Sequence, residues 1–257
     1  MTTSNDAAAI LRALHVPGKP LVLANAWDVA SARLVEGAGF PAVATASAAI
    51  APTLGYDDHE QTPPEEMFAA VARIRRAVSV PVTADLEGGY GLEPAEFVER
   101  LAATGAVGAN IEDTDAHSGG LRPAERQAEY LAGIRAAADA AGYDLVLNAR
   151  VDVYLHDGGS DAERLAEALR RGRLYREAGA DSLYPILVAD APTIEALVEG
   201  LDAPVNILAR PGVPTVGELA GLGVARISFG PGMFRIAQAA TEAALRAVAD
   251  GRSPFAP

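Results

Sequence analysis

The sequence predicts a (β/α)₈ barrel, in which eight parallel strands alternate with eight helices. Eight short apolar runs recur along the 257 residues, each followed by a turn containing Gly or Asp and then by an amphipathic helical pattern. The runs are almost continuously apolar, which is typical of parallel strands covered by helices on both faces. Half of the residues are hydrophobic, so the chain can bury a large core. A doubly wound open sheet is the alternative architecture.

The predicted strands follow one another at intervals that leave room for a helix after each. In chain order they are residues 21–25, 42–47, 80–87, 108–113, 145–150, 182–186, 205–208 and 226–230. No linker or low-complexity tract interrupts the series, which favours a single domain over residues 1–257.

Proline and glycine mark the helix boundaries. Proline with an acidic residue in the first turn predicts helix starts at Pro64, Pro94 and Pro123. Before four of the strands, a glycine predicts that the preceding helix ends in a left-handed conformation. These segments are 36–39, 104–107, 177–181 and 221–224. Residues 5–12 predict one more short amphipathic helix, before the first strand.

Composition excludes several kinds of chemistry. The chain has no cysteine, so disulfides, thiolate zinc sites, iron–sulfur clusters and a thiol nucleophile are excluded. Lys19 is the only lysine, and its position before the first strand argues against Schiff-base catalysis. A formal net charge of −13 argues against binding to the phosphate backbone of nucleic acids.

The start of the chain and its hydropathy predict the protein's location. The first twenty residues contain no basic segment followed by an apolar signal core, and no apolar run approaches the length of a membrane span. We therefore expect a cytoplasmic protein with no membrane partner.

Acidic residues follow the third and fourth predicted strands. Asp85 and Glu87 are two residues apart, so on an extended strand their side chains share one face. Glu112 ends the neighbouring strand. Carboxylates without a nearby Cys or His suit a hard cation, which would also relieve their mutual repulsion. We expect these three residues to bind Mg²⁺, with Mn²⁺ as a substitute; the alternative is a solvated acidic turn.

Other polar residues stand at or beyond the ends of predicted strands, where a barrel enzyme places its chemistry. Arg150 ends the fifth strand and could fork onto a substrate carboxylate. Its alternative role is to neutralise Asp152 or the acidic residues. Asn206 and Arg210, in and beyond the seventh strand, are further candidate substrate-binding residues. This convergence of polar groups predicts an enzyme.

Four ordered motifs carry a resemblance to a known superfamily. They are LGYDD at 54–58, ADLEGGYG at 84–91, IED at 111–113 and NARVD at 148–152. With these motifs the chain resembles the isocitrate lyase/phosphoenolpyruvate mutase superfamily nearly end to end. The resemblance implies a (β/α)₈ barrel, Mg²⁺ held mainly through Asp85, Glu87 and Glu112, and a small 2-oxo acid bound to the metal. It further implies that a C–C or P–C bond next to the carbonyl is broken or made through an enolate.

The resemblance also implies roles for individual residues. Asp58 would lie close to the reacting bond, as a catalytic residue. Arg150 would hold the substrate, and the backbone around Ser47 and Ala48 would bind its carboxylate. Trp27 would line the pocket; the alternative for a lone tryptophan near a strand end is packing.

The loop after the fourth strand departs from the superfamily pattern. Isocitrate and methylisocitrate lyases carry a catalytic cysteine there, whereas the phosphonomutase and phosphonopyruvate-hydrolase branches usually carry lysine and asparagine. Here residues 114–122 read TDAHSGGLR, so isocitrate lyase activity is not expected and phosphonate chemistry is in doubt. His117 is the only group on this loop that titrates near neutral pH, which makes it a candidate acid or gate. The alternative is a solvated loop histidine.

The predicted metal ligands and Arg150 are all present, whereas the loop at residues 114–122 lacks the cysteine or lysine found in other branches. This combination predicts a reaction that needs little proton transfer. We expect cleavage of a C–C bond in a small 2-oxo acid, by decarboxylation of an oxaloacetate-like compound or by retro-aldol release of pyruvate. Departing CO₂ needs no general acid. The alternatives are P–C chemistry of the phosphonopyruvate type, or a 2-oxo acid binding protein without turnover.

The superfamily also implies association, often with exchange of the last helix between subunits. Residues 232–237 open a final helix rich in Ala and Leu, which could pack on its own barrel or on that of a neighbour. We therefore expect a homodimer or homotetramer.

Overall fold

The structure is a computed structural model and describes residues 4–156 and 158–255. Within these residues the strands run parallel wherever they pair. They are β1 (Leu21–Leu23), β2 (Asn25–Ala26), β3 (Val43–Thr45), β4 (Val82–Asp85), β5 (Gly108–Glu112), β6 (Val146–Val151), β7 (Ser182–Pro185), β8 (Asn206–Leu208) and β9 (Arg226–Ser228).

Helices alternate with these strands. They are α1 (Ser4–Ala13), α2 (Val29–Gly37), α3 (Ser47–Leu54), α4 (Pro64–Ala77), α5 (Pro94–Thr104), α6 (Ala124–Ala140), α7 (Asp161–Glu177), α8 (Ala191–Leu201), α9 (Val216–Gly221) and α10 (Gly232–Ala249). A short 3₁₀ helix, Val153–Leu155, follows β6.

The strands close into a barrel. β1 and β2 together form the first barrel strand, interrupted at Ala24, because β1 pairs with β9 whereas β2 pairs with β3. One sheet has the order β2-β3-β4-β5-β6-β7 and the other β1-β9-β8. A parallel bridge between Leu183 of β7 and Val205, just before β8, joins the two. All eight predicted strands are present, and the predicted (β/α)₈ barrel is confirmed.

Helix α1 covers the amino end of the barrel. Its Ala8 and Leu11 are fully buried and belong to an apolar cluster with Leu23 and Val146. Fully burying a leucine side chain stabilises a fold by roughly 1.5–3 kcal/mol. Because the strands are parallel, their polar carboxyl ends lie together at the opposite end of the barrel.

The predicted helix boundaries hold with one difference. Pro64 and Pro94 are the first residues of α4 and α5, as predicted. Pro123 instead precedes α6 by one residue, because its ψ of 131° is extended and only its carbonyl enters the first turn. The glycines that end the preceding helices have the predicted positive φ. They are Gly39, Gly105, Gly179 and Gly223.

Two expectations concern the chain as a whole. Within residues 4–156 and 158–255, no helix is both long enough and apolar enough to cross a membrane. The interpretation of residues 1–257 as one domain stays a prediction.

Candidate active site

Three consecutive strands bring the principal candidate residues to the carboxyl end of the barrel. Asp85 is the last residue of β4, Glu112 is the last residue of β5, and Arg150 lies near the end of β6. In the parallel register Asp85 is opposite Asn110, and Glu112 is opposite Arg150. Because β5 lies between β4 and β6, Asp85, Glu112 and Arg150 lie on adjacent strands, as predicted.

Glu87 reaches this site by a route that differs from the predicted one. β4 ends at Asp85, and Glu87 has a left-handed φ of 50°. The prediction that Asp85 and Glu87 share one face of a strand was therefore wrong. The physical reason is a tight turn directly after the strand, in which the Gly89 N–H donates to the Leu86 carbonyl at 3.0 Å.

Both carboxylate oxygens of Asp85 accept hydrogen bonds. Ser47, the first residue of α3, donates to Oδ2 from its backbone N–H at 3.0 Å and from its hydroxyl at 2.9 Å. The Asn110 side chain donates to Oδ1 at 3.3 Å. Ser47 is thus placed beside the predicted metal ligands, and here its donors bind Asp85.

Glu87 is almost completely buried, with 2% of its surface exposed. The Tyr90 hydroxyl donates to its Oε1 at 2.7 Å, and the Glu60 backbone N–H donates to its Oε2 at 2.5 Å. Burial raises the pKa of Glu87 to about 7, with smaller contributions from the charges of Asp58 and Asp85, while the two hydrogen bonds act in the opposite direction. Glu87 therefore binds a proton more readily than an ordinary glutamate, and a cation would favour its ionised form.

Arg150 lies between two acidic residues. Its Nε and Nη2 donate to the two oxygens of Asp152 at 2.7 and 2.8 Å, and Nη2 also contacts Glu112 Oε2. Burial raises the pKa of Glu112 well above its ordinary value, and the charge of Arg150 opposes that rise. The alternative predicted for Arg150, neutralisation of Asp152 and the cluster, is what these contacts show. Its contact with a substrate stays a prediction.

Asp113 supports this arrangement from behind β5 and β6. Its Oδ1 accepts the backbone N–H of Asp152 at 2.8 Å. Its Oδ2 accepts from Arg171 at 2.9 Å and from the Tyr175 hydroxyl at 2.6 Å, both on α7. Helix α7 thereby fixes the segment that carries Arg150.

Asp58 lies on the loop between α3 and α4 and is half-buried. Its Oδ1 is buried and has no hydrogen-bond partner. Burial raises the pKa of Asp58, the charge of Asp85 raises it further, and His59 and Arg150 oppose the shift. The structure therefore places Asp58 within the electrostatic reach of Asp85, with one of its own carboxylate oxygens buried and unpartnered.

Asp58, Asp85, Glu87 and Glu112 form what we call the carboxylate cluster. After burial, the charge of Asp85 contributes to the raised pKa of each of the other three. The donors are hard oxygen atoms, negative charge exceeds the charge of Arg150, and one buried oxygen is unpartnered, all of which fit Mg²⁺. Among the described residues, no three acidic or histidine side chains already form a ligating group. These carboxylates would therefore hold Mg²⁺ through intervening water molecules, or directly after their side chains rotate.

Three of the predicted substrate-binding residues have other contacts. Trp27 packs edge-on against Phe234, with ring centroids 5.3 Å apart, and lines a surface cavity of about 310 Å³ beside α2, α3 and α4. Asn206 is buried in β8, where it donates to the Ser228 hydroxyl at 3.2 Å. The exposed Arg210 donates to the Leu187 carbonyl at 2.8 Å. Their roles, like that of the Ala48 backbone, stay predictions.

His117 is exposed on the loop after β5. A bridge between Thr114 and Leu121 closes this loop, and Asp115 accepts the backbone N–H groups of His117 and Ser118 at 2.9 and 3.0 Å. The catalytic role of His117 stays a prediction, and the solvated alternative agrees with its exposure.

Sequence reasoning missed several residues that hold the site. Asn110 binds Asp85, and its own Oδ1 accepts from the buried Arg226 at 3.0 Å inside the barrel. Glu60 and Tyr90 bind Glu87. The alternation of β5 was a signal for Asn110, whose side chain lies on the same strand face as Glu112. For Glu60 no sequence signal existed, because its contact depends on a left-handed backbone.

Comparison with known proteins places this barrel among its relatives. The phosphoenolpyruvate phosphomutase family model matches residues 11–249. The chain belongs to this family. Membership in the isocitrate lyase/phosphoenolpyruvate mutase superfamily, which the four motifs implied, is thereby confirmed.

Three relatives illustrate the range of the family. An uncharacterised protein of Mycobacterium tuberculosis is 35% identical over 242 residues, which cover 93% of this chain and 88% of the relative. Oxaloacetate decarboxylase of Rhodopseudomonas palustris is 30% identical over 261 residues, covering 98% of this chain and 88% of the enzyme. A solved structure from Burkholderia cenocepacia, provisionally described as a phosphonomutase, has a TM-score of 0.91 and 40% identity, covering 95% of this chain and 98% of the other. The family thus includes lyases and mutases.

Proposed function

We propose that this protein is a Mg²⁺-dependent lyase that cleaves the C–C bond next to the carbonyl of a small 2-oxo acid. The favoured reactions are decarboxylation of an oxaloacetate-like compound and retro-aldol release of pyruvate. The observation that carries the proposal is the carboxylate cluster: among the described residues, its one ion pair is that of Glu112 with Arg150, which Asp152 also shares. Such an excess of buried negative charge calls for a cation.

Asp85, Glu87 and Glu112 would hold the ion, directly or through water, and Mn²⁺ could substitute. A bound Mg²⁺ would supply positive charge beside the substrate carbonyl, where negative charge develops as the bond breaks. Arg150 uses Nε and Nη2 for Asp152 and Glu112, which leaves Nη1 for a substrate carboxylate.

The start of α3 offers a second anchor for that carboxylate. Ala46, at the N-cap, provides no side-chain cap, so the first backbone N–H groups of α3 are not satisfied by it. Helix amino ends favour anions. The Ala48 N–H would bind the substrate there, joined by the Ser47 donors where Asp85 does not occupy them. Asp58, with its unpartnered Oδ1, would stand next to the reacting bond.

The relatives and the loop after β5 support the choice of reaction. A family member related at 30% identity over nearly the whole chain is an oxaloacetate decarboxylase. Residues 114–122 contain neither cysteine nor lysine, which favours a bond cleavage that needs no acid from this loop. Trp27, Arg210 and His117 are proposed to contact the substrate at the rim of the site, and Asn206 to contact it from within the barrel.

A second candidate is P–C chemistry of the phosphonopyruvate type. It is favoured by the family model and by the 40% identity to the Burkholderia protein. The absence of a lysine from residues 114–122 argues against it, since the phosphoryl group would lack that cation.

The test is ¹H NMR of the Mg²⁺-loaded protein with oxaloacetate, other 2-oxo and 2-hydroxy di- and tricarboxylates, and phosphonopyruvate, which is also followed by ³¹P NMR. We expect metal-dependent formation of pyruvate that stops with EDTA and falls sharply in Asp58→Ala. Asp57→Ala, an exposed neighbour, is the matched control and should keep full activity.

Three outcomes would change the proposal. Phosphonate turnover in place of pyruvate formation would favour the mutase-type reaction. Saturable, metal-dependent binding of a 2-oxo acid with no turnover would indicate a binding protein. Activity that persists in EDTA would contradict the role of the metal.

A further inference from the structure

Two loops at the carboxyl end of the barrel contain most of the strained backbone that the structure describes. We call residues 55–62 the Asp58 loop and residues 86–91 the Glu87 loop. Within the described residues, six non-glycine residues have a positive φ, and four of these lie in the two loops. They are His59 (68°), Glu60 (57°), Glu87 (50°) and Tyr90 (57°). Each such conformation costs on the order of 1–3 kcal/mol and persists only where the surroundings hold it.

A closed ring of hydrogen bonds joins the strained residues. The Glu60 backbone N–H donates to Glu87 Oε2 at 2.5 Å, and the Tyr90 hydroxyl donates to Glu87 Oε1 at 2.7 Å. The Tyr90 backbone N–H donates to Glu60 Oε1 at 2.6 Å, which completes the ring. Glu60 therefore donates to Glu87 from its backbone and accepts from Tyr90 with its side chain.

The ring fixes Asp58 relative to Glu87. Asp58 is only two residues before Glu60, and the rest of its own loop offers its buried Oδ1 no partner. The position of Asp58 thus depends on how the Asp58 loop is attached. The attachment runs through Glu60, because Glu60 makes both bonds from that loop to the Glu87 loop.

We propose that Glu60 is a positioning residue that clasps the Asp58 loop to the Glu87 loop and so sets the distance between Asp58 and the metal ligands. The inference rests on the proposed function for its effect on turnover, and on the structure alone for its effect on the loops. Loss of the Glu60 carboxylate leaves the Tyr90 N–H without its acceptor and removes one side of the ring. The strained conformations then lose their support, and the loops separate.

The clasp is tested with Glu60→Ala, which removes the acceptor, and Glu60→Gln, which keeps an acceptor oxygen without the charge. Asp57→Ala, an exposed change in the same loop, is the matched control. The first measurement is amide hydrogen exchange at residue resolution. We expect the Tyr90 and Glu60 amides to lose protection in Glu60→Ala, to regain it in Glu60→Gln and to be unchanged in Asp57→Ala.

The second measurement is steady-state kinetics on the acid identified for the wild-type protein. Misplacement of a reacting group by about 1 Å costs about 100-fold. We therefore expect kcat of Glu60→Ala to fall by about that factor while KM changes little, since Arg150 and the start of α3 are untouched. Glu60→Gln should recover most of kcat. A merely structural role would instead lower the amount of folded protein and leave kcat per folded molecule constant.

The clasp and the proposed function fail in different ways. Unchanged protection of the Tyr90 amide in Glu60→Ala overturns the clasp whatever the activity, and so does a fall in kcat/KM that comes from KM alone. A wild-type protein that turns over none of the acids overturns the proposed function, while amide exchange still decides the clasp. If Glu60→Ala does not fold, Glu60→Gly replaces it, because glycine tolerates the φ of 57° and still lacks the acceptor.

Discussion

Arg150 shows most directly how single residues at this site depend on one another. It is the cation closest to Glu112 and Asp152, both of which are buried. Removing one partner of a buried ion pair typically costs 3–5 kcal/mol, because the remaining charge has neither water nor a counter-ion. We expect Arg150→Met to lower the free energy of unfolding by about that amount at pH 8 in EDTA, measured by urea denaturation.

The matched control for Arg150 is an arginine in a more exposed pair. Arg100 contacts Glu96 one helical turn away on α5. Such pairs contribute about 0.3–0.5 kcal/mol, so Arg100→Met should change the unfolding free energy by no more than that. If Arg150→Met unfolds at the same urea concentration as Arg100→Met, Glu112 and Asp152 do not depend on Arg150 as the contacts indicate.

Glu87 gives the metal-free protein a pH dependence of known sign. Its pKa is about 7 in the folded protein against 4.5 ordinarily. The folded state therefore binds this proton more tightly than the unfolded chain. The stability that results is complete below about pH 4.5 and is lost as the pH rises to about 7. The loss amounts to roughly 3 kcal/mol, and Asp58 and Glu112, whose pKa values are also raised, act in the same direction.

Urea denaturation in EDTA at several pH values from 5 to 7.5 measures this loss. Glu87→Gln cannot ionise, so its stability should fall less steeply over the same range. In the proposed function Mg²⁺ would bind the ionised acids, so its stabilising effect should increase with pH. Equal pH slopes for the wild type and Glu87→Gln would show that Glu87 is already ionised at pH 5.

At the scale of elements, the sequence predicted more of the barrel than of its loops. Apolar runs and helix-ending glycines follow from the need to bury strands and to reverse the chain, and every predicted strand is present. The break at Ala24 was not predictable, because it depends on which neighbour each half of the strand pairs with. The one-residue difference at Pro123 reflects a ψ angle that residue type does not determine.

The same division applies to the candidate site. Asp85, Glu112 and Arg150 lie at strand ends, so strand order alone predicted their neighbourhood. Glu87 was assigned to the site through a strand geometry that it does not have. Glu60 lies outside any periodic pattern, and only the three-dimensional ring of hydrogen bonds reveals its link to Glu87.

The Glu87 loop allows a matched test of how closely it packs against α6. Gly89 has a φ of 95°, and a Cβ there would meet the Tyr130 hydroxyl at 2.3 Å. Gly91 also has a positive φ, 63°, but a Cβ there would meet nothing within 4 Å. A left-handed conformation costs a non-glycine residue about 1–2 kcal/mol, and overpacking adds about 1–3 kcal/mol.

We therefore expect Gly91→Ala to lose only the conformational part of the unfolding free energy and Gly89→Ala to lose both parts. Thermal and urea unfolding of the two variants measure the difference. The double variant Gly89→Ala/Tyr130→Phe removes the clashing hydroxyl and should recover part of the loss. Equal destabilisation by Gly89→Ala and Gly91→Ala would show that Tyr130 yields without cost.

At the scale of the whole molecule, the two ends of the barrel differ in the polarity of their side chains. α1 closes the amino end with apolar side chains, whereas the carboxyl end carries the carboxylate cluster. The last helix, α10, starts beside the first barrel strand, where Phe234 packs against Trp27. A rearrangement of α10 would therefore change the surroundings of Trp27, a predicted substrate-binding residue.

Three exposed apolar residues form a stripe on one face of α10. Ile236, Ala240 and Ala243 are spaced by four and three residues, so they share one helix face, and all three are exposed. Ala247, four residues after Ala243, lies on the same face and is buried, so the exposed part of the stripe is the part before it. Leu245 is also exposed but lies about 180° around the helix from Ile236.

We expect this stripe to be the contact through which the chain forms the homodimer or homotetramer predicted from its family. Light scattering after size-exclusion chromatography should give a multiple of the single-chain mass for the wild type. Ile236→Glu/Ala243→Glu should shift that mass to one chain, because two buried carboxylates without partners would oppose association. Leu245→Glu, on the opposite face, should leave the mass unchanged. A wild-type mass of one chain would contradict the prediction, and a Leu245→Glu variant that dissociates while the double variant does not would place the contact on the other face of α10.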